Sequence, residues 1–357
     1  MNRPAISPQE YLIPYWSFGT IYRESVLFRR DKNGQPLPAA LLYPPDKILS
    51  VESSDTGTVY IPGKDYAVHG HALEWLPGSS IPCQDYEKLY PQAPIEGHSF
   101  PKTGGGYLFF SEGDCFHRMQ TLVTYTHSGS WTDTVPRSQS HLLPQTRALL
   151  SSGHAPRLLV MGDSITEGAN SSGPLHVPPY LGSWWQLAAE GLGRNHGLSI
   201  PVQSTAMGGQ VSAWGVDQAE AAARNFLPDL VWIAFGMNDG SLKVPPADFR
   251  RNIRTIMHII HGTCPAAEFV LVASILPNPK AAGFTGFHME NRDMLLSLKQ
   301  TGTAVADVTA MHQAFLKRKP YLDMTGNHVN HPNDFLARLQ AQVMLATLGE
   351  DITSEPV

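Results

Sequence analysis

From residue 157 onward, short apolar runs alternate with segments of helical periodicity, and this alternation limits the fold more than any other feature. The runs at 229–235 and 269–273 are almost continuously apolar. Strands of this kind belong to parallel sheets that helices cover on both faces. We therefore predict an α/β fold with a five-stranded, doubly wound parallel sheet. The predicted strands lie at about 157–161, 201–204, 229–235, 268–274 and 303–307, and the predicted helices near 181–195, 214–225, 246–262, 288–300 and 333–348.

The first 140 residues have a different pattern. Short runs of β-forming residues, separated by turns that contain Gly and Pro, occur at 25–28, 58–61, 107–110 and 121–125. Such spacing, with little helical periodicity, favours an antiparallel β-sandwich, because each strand buries one face against the opposite sheet. We predict three parts in the chain: a sandwich at 1–140, a linker at 141–156 with a short helix near 145–150, and the α/β domain at 157–357.

Composition excludes several classes of protein. The chain is 42% hydrophobic and 16% charged, which predicts packed cores rather than extended disorder. A net charge of -5 argues against a nucleic-acid partner or an anionic membrane surface. No run is long enough to span a membrane, and residues 1–16 lack the pattern of a secretory signal, so we expect a cytoplasmic protein. The three cysteines have no paired spacing, so we expect buried thiols and neither a disulfide framework nor a metal site.

Four motifs rich in small and polar residues follow the predicted strands or precede the last predicted helix. They are Gly-Asp-Ser at 162–164, Ala-Met-Gly-Gly at 206–209, Phe-Gly-Met-Asn-Asp at 235–239 and His-Pro-Asn-Asp at 331–334. Right-handed crossovers bring the carboxyl ends of parallel strands to one edge of the sheet, where α/β proteins bind ligands. A serine nucleophile needs a base and uncharged N–H donors, and these motifs contain all three. The sequence therefore predicts a catalytic crevice around Ser164 and His331.

Each motif also has an ordinary structural interpretation. Ser164 and Asp163 are favoured caps for the helix that follows them. Asn238 and Asp239 suit a turn at a strand end, and Gly209 suits a tight bend. The convergence of all four motifs on one edge favours the catalytic interpretation over these.

The four motifs resemble, in type and order, the sequence blocks of the SGNH or GDSL hydrolases, and the resemblance covers roughly the last three fifths of the chain. It implies a flavodoxin-like domain that hydrolyses esters through an acyl-enzyme, without cofactor or metal. By this likeness Ser164 is the nucleophile and His331 the general base. The oxyanion hole would consist of the backbone N–H groups of Ser164 and Gly209 and the side-chain amide of Asn238.

One position departs from the family pattern. Most members carry an aspartate three residues before the histidine, and His328 stands there in this chain. Asp323, Asp334 or a backbone carbonyl are the alternatives that would orient the His331 ring. Some carbohydrate esterases of this superfamily, which this chain resembles in having a β-sandwich ahead of the hydrolase domain, work with a Ser-His dyad, and we favour a dyad here. His328 itself is interpreted as a substrate contact, a false third member or a surface side chain.

Substrate and supporting residues are less directly indicated. We expect Asp163 and Asp239 to support the site by hydrogen bonds, and Trp214 to line the pocket or pack in the core. The resemblance to sugar esterases suggests a small-molecule or oligosaccharide substrate, with O-acetyl groups on a carbohydrate as the expected esters. The alternatives are a lipase or lysophospholipase, and a carbohydrate-binding protein whose hydrolase site has decayed. A homo-oligomer is compatible with all three.

Overall fold

A computed structural model describes residues 7–350 of the chain. Its strands are β1 (Gly19–Val26), β2 (Ala39–Ala40), β3 (Lys47–Ser53), β4 (Tyr66–His69), β5 (Ala72–Trp75), β6 (Ser99–Pro101), β7 (Tyr107–Phe109), β8 (Thr121–His127), β9 (Leu158–Gly162), β10 (Val202–Ser204), β11 (Leu230–Ala234), β12 (Glu268–Ala273) and β13 (Thr303–Asp307).

The helices are α1 (Pro8–Leu12), α2 (Tyr86–Leu89), α3 (Cys115–Met119), α4 (Pro144–Ser151), α5 (Ser164–Glu167), α6 (Trp184–His196), α7 (Ser212–Phe226), α8 (Met237–Ser241), α9 (Pro246–Thr263), α10 (His288–Leu296), α11 (Val308–Leu316) and α12 (Asp334–Leu348). Two short 3-10 helices lie at Ser140–Leu142 and Tyr321–Asp323. Within residues 7–350 no helix combines the length and the apolar character that crossing a membrane requires.

The five strands β9 to β13 form one parallel sheet in the order β10-β9-β11-β12-β13, which confirms the predicted α/β fold. Every residue of β9, β11 and β12 is buried. Alternate strand residues enter two different apolar clusters. One cluster contains α6, α11 and α12, and the other contains α7, α9 and α10. Helices therefore cover both faces, which is why these strands are continuously apolar.

Residues 19–127, here called the β-rich part, are mainly antiparallel, as predicted. Their sheets have the orders β1-β8-β3, β2-β5-β4 and β6-β7. The run at 58–61 is not a strand, because Val59 forms only an isolated bridge with Glu52 and is half exposed. The sandwich arrangement and the boundaries 1–140, 141–156 and 157–357 stay predictions. Residues 1–6 of the predicted sandwich and residues 351–357 of the predicted α/β domain lie outside the described residues.

The β-rich part packs directly on the α/β part (residues 158–348). The first of the two clusters named above contains residues of both parts, and a third cluster between them consists of Leu27, Leu89, Tyr90, Leu108, Phe116, Met119, Ala281, Leu322 and Val329. Polar contacts add to the apolar ones, since Arg338 of α12 donates to the Tyr22 carbonyl oxygen and the Lys319 ammonium binds the Glu24 carboxylate. The loop before α12, which carries His331, is therefore enclosed between the two parts.

Candidate active site

Ser164 lies where β9 ends and the short helix α5 begins. The Asp163 carboxylate caps this helix by accepting the Ile165 N–H at 3.1 Å. The turn is tight, because a Cβ on Gly162 would stand 2.7 Å from the Thr166 Cβ and 3.0 Å from the Ala234 carbonyl oxygen. Glycine at 162 thus lets the chain turn sharply and present the serine at the carboxyl edge of the sheet.

His331 lies on the loop that leads into α12, and this loop is held by its own polar groups. The Asn327 side-chain oxygen accepts the backbone N–H groups of Val329, Asn330 and His331, at 2.9, 3.0 and 3.0 Å. Thr325 pairs with Pro332 across the loop. These bonds satisfy buried backbone groups and fix where the imidazole points.

The structure brings Ser164 and His331 together, 167 residues apart in the chain. The Ser164 Oγ lies 2.9 Å from the His331 Nε2, and both residues are nearly buried. The His331 Nδ1 lies 2.7 Å from the Asn170 Oδ1 and 3.1 Å from the Glu112 Oε2. Both partners of Nδ1 are oxygen acceptors. Nδ1 therefore carries the proton of the neutral ring, and Nε2 offers its lone pair to the serine hydroxyl.

The structure places the two aspartates that were candidates for the third position elsewhere. Asp323 accepts the Leu27 N–H at 3.0 Å and lies 3.3 Å from the Lys319 ammonium. Asp334 accepts the Ser172 N–H at 2.9 Å from the first turn of α12. Neither carboxylate is a partner of His331. Asp323 therefore joins the β-rich part to the α/β part, and Asp334 joins the start of α12 to the backbone at Ser172.

The three expected oxyanion donors follow the ends of the neighbouring strands β9, β10 and β11, and their role stays a prediction. Ser164 occupies the first position of α5, where a backbone N–H has no partner within the helix. A Cβ on Gly208 would lie 3.7 Å from the Ser164 Cβ, so the Gly208-Gly209 turn passes beside the nucleophile. Gly209 has a φ of 76°, which favours glycine. The Asn238 amide donates one N–H to the Gln210 carbonyl at 2.9 Å, which leaves its second N–H for another acceptor.

Asp163 and Asp239 are both buried beneath this edge. Asp239 accepts the Ser212 N–H at 3.0 Å and the Ser212 hydroxyl at 2.5 Å, which joins the turn that carries Asn238 to the start of α7. Burial raises the pKa of Asp239, although the bonds from Ser212 oppose the shift. Burial also raises the pKa of Asp163 to about 7. Through these hydrogen bonds the two carboxylates hold the turns that carry Ser164 and Asn238.

His328 is not a surface residue. Its ring is fully buried between Tyr90 and Phe116, and its Nδ1 lies 2.9 Å from the Phe109 carbonyl oxygen. Burial lowers the pKa of His328 to about 4, so the ring is neutral. The interpretation of His328 as a surface side chain was therefore wrong, and its contact with substrate stays a prediction. Trp214 is half-buried and packs edge-on against Phe235, and its contact with substrate stays a prediction.

The comparison with protein families decides what this arrangement belongs to. A model described as the GDSL-like lipase/acylhydrolase family matches residues 160–339, which is half of the chain. The chain belongs to this family. The matched range contains Ser164, Gly209, Asn238 and His331, and it contains the whole parallel sheet except the first two residues of β9. The chain therefore carries a GDSL hydrolase domain, of the class that cleaves carboxylic esters.

Solved structures with a similar fold are distant from this GDSL hydrolase. A two-domain esterase (CEX) active on acetylated mannans, co-crystallised with mannopentaose, is 20% identical with a TM-score of 0.45. That alignment covers 58% of this chain and 52% of the other, so the chain spans about half the length of this neighbour. A catalytic mutant of Axe2, an acetylxylan esterase from Geobacillus stearothermophilus, is 17% identical with a TM-score of 0.46, covering 56% of this chain and 97% of that one. No curated protein matches the chain.

Two residues at the site of this GDSL hydrolase were not predicted from the sequence, Glu112 and Asn170. Glu112 lies in the β-rich part, 219 residues before its partner His331. Asn170 lies in the loop after α5 with a φ of 63°, a conformation in which asparagine is favoured over most residues. Neither belongs to a periodic pattern or a motif, so only the folded chain reveals them.

Proposed function

We propose that this protein is a serine esterase that releases short acyl groups, acetyl above all, from esters of a carbohydrate. The observation that carries the proposal is the 2.9 Å contact between the Ser164 Oγ and the His331 Nε2. Acceptors at the other ring nitrogen support it, because they keep Nε2 free to act as a base.

In the proposed reaction the Ser164 oxygen attacks the ester carbonyl carbon while His331 takes the hydroxyl proton at Nε2. The carbonyl oxygen becomes an oxyanion, which the N–H groups of Ser164, Gly209 and Asn238 stabilise. His331 then gives its proton to the departing alcohol, which leaves an acyl-enzyme. Water attacks the acyl carbon while His331 takes a proton from that water. The bond between the Ser164 oxygen and the acyl carbon then breaks, and His331 returns the proton to that oxygen, which releases the acid and restores the serine.

The surroundings of the serine support a polar alcohol as the part of the substrate that leaves. Glu167 accepts the Gly208 N–H at 2.9 Å beside the nucleophile, and the Glu112 side chain is half exposed at the histidine. Carboxylate and amide groups of this kind hydrogen-bond sugar hydroxyls, whereas lipid chains offer them no partner. These polar groups, together with the resemblance to sugar esterases noted from the sequence, favour a carbohydrate ester.

A longer-chain esterase is the second candidate, and one observation favours it. Met207 is half exposed immediately before the Gly208-Gly209 turn, and its N–H donates to the Gly162 carbonyl at 3.1 Å. An exposed flexible thioether near the nucleophile offers apolar contact to an acyl chain. Acyl-chain length therefore separates the two candidates.

The test compares the wild-type protein with Ser164→Ala and with Ser199→Ala, an exposed serine near the end of the α6 to β10 connection. We expect p-nitrophenyl acetate to be cleaved much faster than the octanoate, and acetylated oligosaccharides to release acetate. The Ser164→Ala variant should lose at least about 10³-fold in kcat, because the nucleophile is gone. The Ser199→Ala variant should match wild type. Faster cleavage of the octanoate would support the second candidate, and full activity of Ser164→Ala would refute the proposed nucleophile.

A further inference from the structure

A short segment of the β-rich part, residues 109–113, lies against the loop that carries His331. Two hydrogen bonds join this segment to the loop, and a third joins it to Asn170, which contacts His331. The Phe109 carbonyl meets the His328 Nδ1 at 2.9 Å, Glu112 Oε1 accepts from the Asn327 amide at 3.0 Å, and the Gly113 carbonyl accepts from the Asn170 amide at 2.9 Å. Each bond ends on a residue that touches His331 or lies within four positions of it.

We propose that Glu112 is the carboxylate that positions His331 and compensates its charge, so that the β-rich part completes the catalytic site of the hydrolase domain. The inference rests on the proposed function, because it gives Glu112 a role only if His331 is the base. It assigns the β-rich part a function within the reaction itself. Glu112 acts through His331 and is therefore a positioning residue.

The two acceptors at the His331 Nδ1 have different tasks. Asn170 is buried and its oxygen is the nearer, at 2.7 Å. Its amide nitrogen is committed to the Gly113 carbonyl, so its oxygen must face the imidazole. Asn170 is neutral and fixes which nitrogen carries the proton. It cannot balance the positive charge that His331 acquires when it takes the Ser164 proton.

Glu112 supplies the missing negative charge. Its Oε2 lies 3.1 Å from the His331 Nδ1, while its Oε1 is held by Asn327. Burial opposes ionisation of this carboxyl, but the hydrogen bonds and charge of His331 and the bond from Asn327 hold the pKa of Glu112 below its ordinary value. Glu112 is therefore ionised at neutral pH. Because its side chain is half exposed, water screens part of the interaction, and its effect is smaller than that of a buried acid.

Asn327 makes the carboxylate and the imidazole one rigid unit. One end of its side chain accepts the His331 N–H, and the other end donates to Glu112. His328 anchors the same segment from below through the Phe109 carbonyl, in an aromatic enclosure formed by Tyr90 and Phe116. A half-exposed glutamate on a loop would otherwise lose much of its effect to side-chain freedom.

The test compares full-length Glu112→Gln, which keeps the shape and removes the charge, with Glu112→Asp, which keeps the charge. Glu96→Gln, an exposed glutamate of the same part, is the matched control. Steady-state kinetics on p-nitrophenyl acetate give kcat and KM, and the rate at which a fluorophosphonate labels Ser164 gives a readout that needs no turnover. Circular dichroism and thermal melting check that each variant is folded.

We expect Glu112→Gln to lower kcat and the labelling rate by about 10- to 100-fold, with KM changed less than about twofold. The loss is expected because the imidazolium that forms during attack loses its opposite charge, and partial exposure of Glu112 keeps that loss below the loss of a buried acid. Glu112→Asp should recover at least about a third of the wild-type rate, and Glu96→Gln should equal wild type. A folded Glu112→Gln variant within about twofold of wild type overturns the proposal, and so does Glu112→Asp if it is as slow as Glu112→Gln.

A different result marks failure of the proposed function. If the wild-type protein neither cleaves esters nor takes up the fluorophosphonate at Ser164, the serine is not a nucleophile and both proposals fall. If wild type is active and loses activity in Ser164→Ala but not in Glu112→Gln, only the role of Glu112 is refuted. Should Glu112→Gln not fold, the labelling rate of Glu112→Asp decides, since a value more than tenfold below wild type contradicts a role that depends on charge alone.

Discussion

Asp163 is buried beneath the nucleophile, and burial disfavours the ionised form of its carboxyl group. The pH dependence of folding stability tests this. The residue is 1% exposed, and while one carboxylate oxygen caps α5, the other has no hydrogen-bond partner among the described residues. The charged groups facing it are His331 and Asp239. We predict that Asp163→Asn makes the protein more stable, relative to wild type, as the pH rises from 5 to 8.

The magnitude follows from linkage between protonation and folding. Burial raises the pKa of Asp163 from 3.8 to about 7, so the folded state holds this proton more tightly than the unfolded state. A carboxyl with a raised pKa contributes stability below its unfolded pKa, and that contribution is lost as the pH rises through the folded pKa. About three pKa units correspond to about 4 kcal/mol in all, of which about 2 kcal/mol falls between pH 5 and pH 7 and about 3 kcal/mol between pH 5 and pH 8. The asparagine does not titrate and keeps the cap.

Urea denaturation of wild type and Asp163→Asn at pH 5, 6, 7 and 8 measures this difference. The free energy of unfolding of the variant, minus that of wild type, should rise by about 3 kcal/mol across the series and level off above pH 7. Asp217→Asn, an exposed aspartate on α7, is the control and should give a flat line. A flat line for Asp163→Asn, or a slope of the opposite sign, would refute the argument that this carboxylate is ionised at a cost.

Two further predictions concern the oxyanion site and a buried ion pair. Asn238→Ala should lower kcat by about 10²- to 10³-fold with a small change in KM, because one amide donor to the oxyanion is lost, and steady-state kinetics would contradict this with a change below about threefold. Lys319→Met should lower the free energy of unfolding by about 3–5 kcal/mol, because the fully buried Glu24 carboxylate loses its partner, and a variant as stable as wild type in urea would contradict it.

The parallel sheet could be predicted because its sequence pattern is local. The strand predicted at 303–307 coincides with β13, and the helix predicted near 246–262 ends one residue before α9 does. Helix α11 was not predicted. Asp307 is both the last residue of β13 and the cap of α11, so no turn residue separates the two elements. Most residues of α11 are buried, so it lacks the one-sided apolar pattern that marks a surface helix.

The candidate residues at strand ends could be predicted from the sequence, whereas the partners of the His331 Nδ1 could not. Ser164, Gly209 and Asn238 follow strands of one sheet, and the topology of parallel strands brings them to one edge. The partners of the His331 Nδ1 follow no such rule. Asp323 was a candidate because it is near in sequence, but Ser25 donates to its carbonyl and Leu27 to its carboxylate, which turns it toward β1.

The placement of Glu112 follows from how the two parts share their buried polar groups. The loop at 324–333 is almost entirely buried, so each of its polar groups needs a partner. Asn327 satisfies three backbone N–H groups of its own loop with one oxygen, and its own side-chain N–H groups need acceptors as well, of which the Asn330 side-chain oxygen, at 3.1 Å, is one. Glu112 provides another at 3.0 Å. The same bond that relieves a buried amide therefore places a carboxylate beside the imidazole, and packing of the β-rich part becomes a condition for a charge-compensated base.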